Sequence, residues 1–303
     1  MKTLLTKVSF SILLLFCLSA GSLRASSNDP NPKIYVLSIG IGNEHVQYTI
    51  KDAKDIASAF FKMTKNENPL NIDVRLLSRR EETTKLNIQR AMQDLSERDY
   101  KNEDLLVVFI SALGKVANDG RYRLISSDYD PMYEEITTID FKKDILAKLQ
   151  YLSVNTLLLI DACQAGSNMT GMRVLRDSQS SLILSDLIQN TSGVSVLSSC
   201  GNNEYSYEAN NWENGAFTAA LLEALNNKAV EVEGGKNIHA DNYKAVNDEW
   251  VEGSDGIISI EELIDFVKMR VPHLVKTIYS TGEQHPSFKQ SDSLPSHTGI
   301  YRY

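Results

Sequence analysis

Cysteine is scarce in this chain. Cys17, Cys163 and Cys200 are the three it has, too few for the disulfide framework of a small secreted domain. No CxxC pair and no Cys/His cluster occurs, which removes the usual zinc spacings. The five histidines are scattered, at His45, His239, His273, His285 and His297. Cations are outnumbered, with 31 Lys and Arg against 39 Asp and Glu, and no basic stripe is visible. Phosphate backbones need clustered Lys and Arg, so nucleic acid is not an expected partner. No apolar run is long enough to span a bilayer comfortably.

What is present begins with an N-terminus unlike the rest. Lys2 and Lys7 precede an apolar run from Val8 to Leu18, followed by small residues from Ser19 to Ser22. A basic start, a short apolar stretch and small residues are the pattern of a secretory signal peptide, expected over residues 1–25. Cys17 raises a lipoprotein anchor, but the bulky Phe16 before it argues against one. Removal of this segment takes away Lys2, Lys7 and Arg24 and moves the formal charge from −8 to −11. The mature chain is then exported, periplasmic or secreted, with no membrane attachment expected.

Residues 26–32 read as a polar linker. Beyond it, apolar and β-branched runs alternate with amphipathic stretches. Strands are expected over 33–41, 72–77, 104–111, 122–128, 154–161 and 193–199. Helices are expected over 50–63, 83–95, 138–150, 181–190, 215–226 and 259–270. Thr83 or Thr84 would cap the second helix. Residues 227–256 read as an acidic insertion, and the tail from Thr281 as loop. Strands apolar on both faces, alternating with helices, predict an α/β fold with a mostly parallel sheet covered on both sides. No second core is apparent, so residues 33–303 read as one domain.

In open α/β sheets, function sits beyond the carboxyl ends of the strands. Here those ends are Gly40–His45, Ser111–Lys115, Asp161–Gly166 and Ser198–Glu208. Asp255, Gly256 and Glu262 suggest a calcium loop, but in that register Val251 falls where the first carboxylate belongs. Neither a metal nor a cofactor is therefore expected.

Asp161-Ala162-Cys163-Gln164-Ala165-Gly166, at the end of an apolar strand, resembles the cysteine motif of the caspases and metacaspases (peptidase family C14). That family places a histidine about 50 residues upstream of the cysteine. The corresponding stretch is Phe109-Ile110-Ser111-Ala112-Leu113-Gly114, and Leu113 stands in the histidine's place. The likeness extends through Tyr35–Gly42 with Lys51-Asp52-Ala53, Arg121–Asp128, Leu197–Cys200, Gly215–Thr218, Gly256–Ser259 with Glu262-Leu263, and Gln284-His285-Pro286.

The resemblance implies a caspase-like three-layer α/β/α sandwich with about six strands. It implies a large-subunit-like part over 33–180 and a small-subunit-like part over 181–303. It implies Cys163 as the nucleophile position and the backbone at Gly114 as part of an oxyanion hole. In metacaspases the counterpart of Asp161 helps line an acidic pocket for a basic side chain, and Glu204 and Glu208 would add charge nearby. Arg173 and Arg176 lie where related enzymes are processed, although both read equally as exposed loop arginines.

Leucine can neither donate nor accept a proton. General acid–base help, typically worth about 10²–10⁴ in rate, is thus missing from position 113. His45, in the loop after the first strand, is the candidate substitute base, and Lys115 a weaker one. Either reads as well as an ordinary surface side chain. The sequence leaves two functions open. One is a proteolytically impaired protein that binds peptide or protein segments or regulates an active relative. The other is a cysteine endopeptidase cleaving after Arg or Lys with a non-standard base.

Overall fold

The computed structural model describes residues 32–65, 70–162, 178–232, 235–242 and 255–302. The expected signal peptide, nearly all of the linker, Cys163, Arg173 and Arg176 lie outside them.

Six strands make the central sheet, in the order β14-β8-β7-β3-β1-β2. β1 (Lys33–Gly40), β2 (Asn71–Leu77), β3 (Leu105–Ser111), β7 (Asn155–Asp161) and β8 (Ser195–Ser198) run parallel to their neighbours. β14 (Ser287–Lys289) closes the edge antiparallel to β8. Val, Ile and Leu dominate β3 and β7, and every residue of β3 is buried. A parallel sheet explains that pattern, because crossover helices cover both of its faces.

On one face α1 (Thr49–Met63), α6 (Ala216–Leu225) and α7 (Ile260–Ile278) pack against Val36, Val107, Phe109 and Leu159. On the other face α2 (Lys85–Ser96), α4 (Ala147–Gln150) and α5 (Ser178–Gln189) meet a second core with Leu37, Val108, Ile110 and Leu158. Adjacent residues of one strand thus feed opposite cores, as the strand period of 2 requires. Full burial of a side chain such as Phe109 contributes about 1.5–3 kcal/mol.

Smaller elements surround this sheet. β4 (Gly114–Val116), β5 (Tyr122–Ile125) and β6 (Thr138–Asp140) form an antiparallel sheet. β9 (Glu208–Ala209) and β10 (Asn214–Gly215) form a short hairpin, as do β11 (Val230–Val232) and β12 (Lys236–Ile238). β13 (Ile257–Ser259) pairs with β15 (Gly299–Arg302). α3 (Glu134–Thr137) precedes β6.

The five parallel strands and three-layer packing match the expected α/β sandwich. Thr84 caps α2, its hydroxyl accepting from the Asn87 N–H at 3.3 Å. Three expectations need correction. The stretch 138–150 is not helical throughout, since it opens with β6 and passes through a π-helical turn, Phe141–Leu146, before α4. The helix expected to end at 270 runs on to Ile278 through Pro272. Buried Val271, Leu274 and Val275 hold those last turns on the core, which offsets the proline's missing N–H. The tail after Thr281 is not all loop, because it supplies β14, the sixth strand.

Candidate functional site

The order β2-β1-β3-β7-β8 places the reversal of strand order between β1 and β3. Ligands of doubly wound sheets bind outside the carboxyl ends of strands at such a point. A cleft opens there, lined by Val46, Thr49, Asp52, Ser111, Ala112, Asp161, Ser206, Tyr207, Glu208 and Gly215. It is narrow, about 20 Å³, enough for roughly one water.

Among the described residues, three carboxylates line it and no Lys or Arg does. Asp161 ends β7 and is buried. The Ser206 hydroxyl donates to its Oδ1 at 2.6 Å, and Thr218 to its Oδ2 at 3.4 Å. Asp52 reaches the cleft from α1, where it is only 2% exposed. Its Oδ1 accepts from the Gly215 N–H at 3.1 Å and from Asn214 Nδ2 at 3.0 Å, and its Oδ2 accepts from Ser111 Oγ at 3.0 Å. Burial pushes the Asp52 carboxyl up to about 8, with the charge of Asp161 adding to the rise and those three donors opposing it. Burial likewise raises Asp161, against the pull of its hydroxyl donors. Two desolvated carboxylates sharing a site resist ionising together.

Glu208 is the third. Its carboxylate accepts from the Gln47 N–H at 2.8 Å and the Tyr48 N–H at 3.2 Å, and burial raises its carboxyl too. Gly215 forms one wall. A Cβ there would lie 2.7 Å from Asp161 Oδ2 and 3.6 Å from Asp52 Oδ2, so only glycine leaves the cleft open.

The ends of β3 and β7 meet at this cleft. Ser111 pairs with Asp161 in register, and the Ala112 N–H donates to the Asp161 carbonyl at 3.0 Å. Leu113 follows at once, half-buried, its carbonyl accepting from the Ile125 N–H at 2.9 Å. Gly114 is buried against the Ala162 carbonyl, which also accepts from the Tyr122 hydroxyl. A Cβ at 114 would overlap both groups. Leu113, Gly114 and Asp161 therefore share one corner, and Ala162, the residue before Cys163, belongs to it.

The remaining candidates fall elsewhere. Glu204 does not line the cleft. It binds His285 Nδ1 at 2.6 Å and the N–H groups of His285 and Gly201 at 2.6 and 3.0 Å. His45 is exposed in the Asn43–Val46 turn, 3.5 Å from Glu44 Oε1, next to the cleft residue Val46. Burial opposes the charge on Lys115, but its ion pair with Glu134 and its contact with Tyr129 lift it above the usual lysine range. That pairing favours its protonated form. Cys200, just beyond β8, is buried and disulfide-bonded, its Sγ 3.5 Å from the Glu204 carbonyl oxygen.

Asp52 and Gln284 are the residues that the reading of the sequence underrated. Asp52 shares the buried face of α1 with the apolar Ala53, Ile56 and Phe60. A carboxylate at such a position is a signal in itself. Gln284 is fully buried, accepts from the Tyr207 N–H at 2.9 Å, and donates to the Ser199 carbonyl at 2.9 Å and to Ser206 Oγ at 3.3 Å. It ties the loop after β8 to the cleft.

Among the described residues, no cluster of His, Cys, Asp or Glu is placed to hold a metal ion, and no helix is long and apolar enough to cross a membrane.

Fold and cleft together define an open α/β protein with an acidic cleft at the carboxyl edge of its sheet. A family model described as a caspase domain, Peptidase C14, matches residues 35–295. The chain belongs to that family. No curated protein matches it.

Proposed function

We propose that this protein is an exported caspase-domain protein that holds Arg- or Lys-bearing peptide segments in its acidic cleft, with proteolysis impaired or absent. One observation carries the reading: Asp52, Asp161 and Glu208 converge on a cleft with no Lys or Arg among its described lining residues. A guanidinium or ammonium entering it would let the buried carboxylates ionise and pair, and charge-assisted bonds are the strong ones. The cleft as it stands is too narrow for such a side chain, so entry requires its walls to give.

The loss of catalysis rests on Leu113. A thiol with the ordinary pKa of about 8.5 is only a few per cent thiolate at neutral pH. Leu113 cannot raise that fraction or protonate a leaving amine. Backbone N–H groups at Gly114 would survive the change and could still steady an oxyanion. The partner is a peptide or protein segment with an exposed basic side chain, an active caspase-like relative being one source. The second reading is an endopeptidase with Cys163 as nucleophile. The place of His45 beside Val46 favours it, since a base there stands at the cleft's edge.

Fluorescence anisotropy with a labelled peptide tests the binding claim. A peptide carrying arginine should bind at least about tenfold more tightly, roughly 1.4 kcal/mol, than the same peptide carrying norleucine. Equal affinities would remove the acidic cleft from the account.

A further inference from the structure

We infer that a second site, a basic groove beside α5, takes an acidic peptide segment anchored by one apolar side chain. The chain as a whole is acidic, with 39 Asp and Glu against 31 Lys and Arg. One surface runs against that balance. A cavity of about 450 Å³ lies between β5, α5 and the π-helical turn Phe141–Leu146. Arg121, Lys142 and Lys143 supply its cations, and Ile183 and Leu187 its apolar wall. A second cavity, of about 440 Å³, has Lys148 and Tyr151 in its walls, and Lys143 lines both. Ligand clefts span about 300–1,000 Å³, so either cavity is large enough to hold a side chain. A π turn carries one residue more than an α turn and recurs at functional sites. Here it sets Lys142 and Lys143 side by side on the groove.

The lysine heads are available. Lys142, Lys143 and Lys148 are exposed, and among the described residues none of the three takes part in an ion pair. The two acids in the walls are engaged elsewhere. Asp140 accepts from the Lys143 N–H at 2.9 Å and from Arg121 Nη1 at 3.3 Å. Asp144 accepts from the Asp140 N–H at 3.0 Å and from Gln89 Nε2 at 3.1 Å. Both are buried and neither reaches a lysine head. Cations distributed over two joined cavities match several carboxylates along a chain, whereas a single-headed amphiphile would leave most of them unmatched. Ile183 and Leu187 offer apolar surface for one side chain rather than for an acyl tail. Tyr151, 89% exposed, adds an aromatic of the kind protein interfaces favour. The groove shares no lining residue with the acidic cleft, whose three carboxylates would repel the same ligand.

Fluorescence anisotropy of the mature protein with a labelled peptide, glutamates around a single leucine, tests this. The peptide should bind, and added salt should weaken it, as it does exposed charge pairs. Lys142→Glu and Lys143→Glu together should cost at least about tenfold in affinity, with circular dichroism showing the fold intact. Lys148→Gln, a milder change, should weaken binding in the same direction, as should serine in place of the peptide's leucine. Asp52→Asn should leave this affinity unchanged, so the groove and the functional reading of the cleft fail separately. Three results would overturn the proposal: no binding, equal binding of a peptide with glutamine for glutamate, or undiminished binding by the double variant. Capture of phosphatidylglycerol vesicles with no binding of the peptide would overturn it too, in favour of a lipid surface.

Discussion

Asp52 and Asp161 meet at Gly215, whose missing side chain leaves room for both carboxylates. A methyl at that Cα would lie 2.7 Å from Asp161 Oδ2 and 3.6 Å from Asp52 Oδ2. The carboxylates come from a helix and a strand end, 109 residues apart in sequence. They are held by donors from Ser111, Ser206, Asn214, Thr218 and the Gly215 backbone.

Gly215→Ala follows directly. Gly215 has φ −64° and ψ 147°, which alanine adopts freely, so the backbone tolerates the change. The added methyl fills the cleft. We expect loss of Arg-peptide affinity by at least about tenfold and a stability cost of about 1–3 kcal/mol from overpacking. Anisotropy and urea unfolding measure the two, and unchanged affinity would place the peptide elsewhere.

Asp52→Asn separates function from stability. The neutral amide keeps the shape and removes a charge that burial disfavours. Arg-peptide binding should weaken by roughly 10–100-fold, the worth of a charged hydrogen bond at about 1.5–3 kcal/mol. Thermal stability at pH 8 should rise. The sign follows from the raised carboxyl. Between about 3.8 and about 8, Asp52 is protonated in the folded chain and ionised in the unfolded one. Stability therefore falls as pH rises through that window and levels off above it. Melting curves of both proteins at pH 5 and pH 8 check this, and a gap that does not widen with pH would count against it.

Binding should depend on pH in the opposite sense. A bound cation favours the ionised pair, so complex formation releases protons. Arg-peptide affinity should climb from pH 6 to about pH 8, the level to which Asp52 is raised, and flatten beyond. Titrations in two buffers of different ionisation enthalpy would report the proton release. A flat profile would mean that the pair is already ionised.

Much of this was legible in the sequence. β1, β3 and β7 could be read because a covered parallel sheet demands apolar residues on both faces, and Val107-Val108 and Leu157-Leu158 supply them. β14 could not. It has three residues, follows Pro286, and becomes a strand only by pairing with β8, as in Ser287 with Ser198. Asp161 and Gly114 were placed by their strand ends. Asp52 was obscured because an acid in the first turn of a helix ordinarily faces solvent and the helix dipole. Its role appears only through partners such as Asn214, 162 residues away. Glu204 and Glu208 are indistinguishable in an acidic loop. The fold sends Glu208 to the cleft and Glu204 to His285, a difference set by tertiary packing alone.

Gln284→Leu tests the tie beneath the site. The change would leave the Tyr207 N–H and the Ser199 carbonyl without their partner, each costing about 1–3 kcal/mol when buried and unsatisfied. A lower melting temperature should accompany weaker peptide binding, because Ser206 loses one of its two side-chain contacts and Asp161 is then less firmly held. Normal stability in this variant would show that water or a neighbour replaces the amide.

The most direct test of the central claim is cleavage of Arg- and Lys-terminated fluorogenic peptides, under reducing conditions, by the native protein beside Cys163→Ala and Leu113→His. The account predicts that the native protein and Cys163→Ala are silent and that Leu113→His gains activity, the restored base being worth about 10²–10⁴. Cleavage by the native protein that disappears in Cys163→Ala would contradict it, and would make the protein an endopeptidase whose base is to be sought at His45.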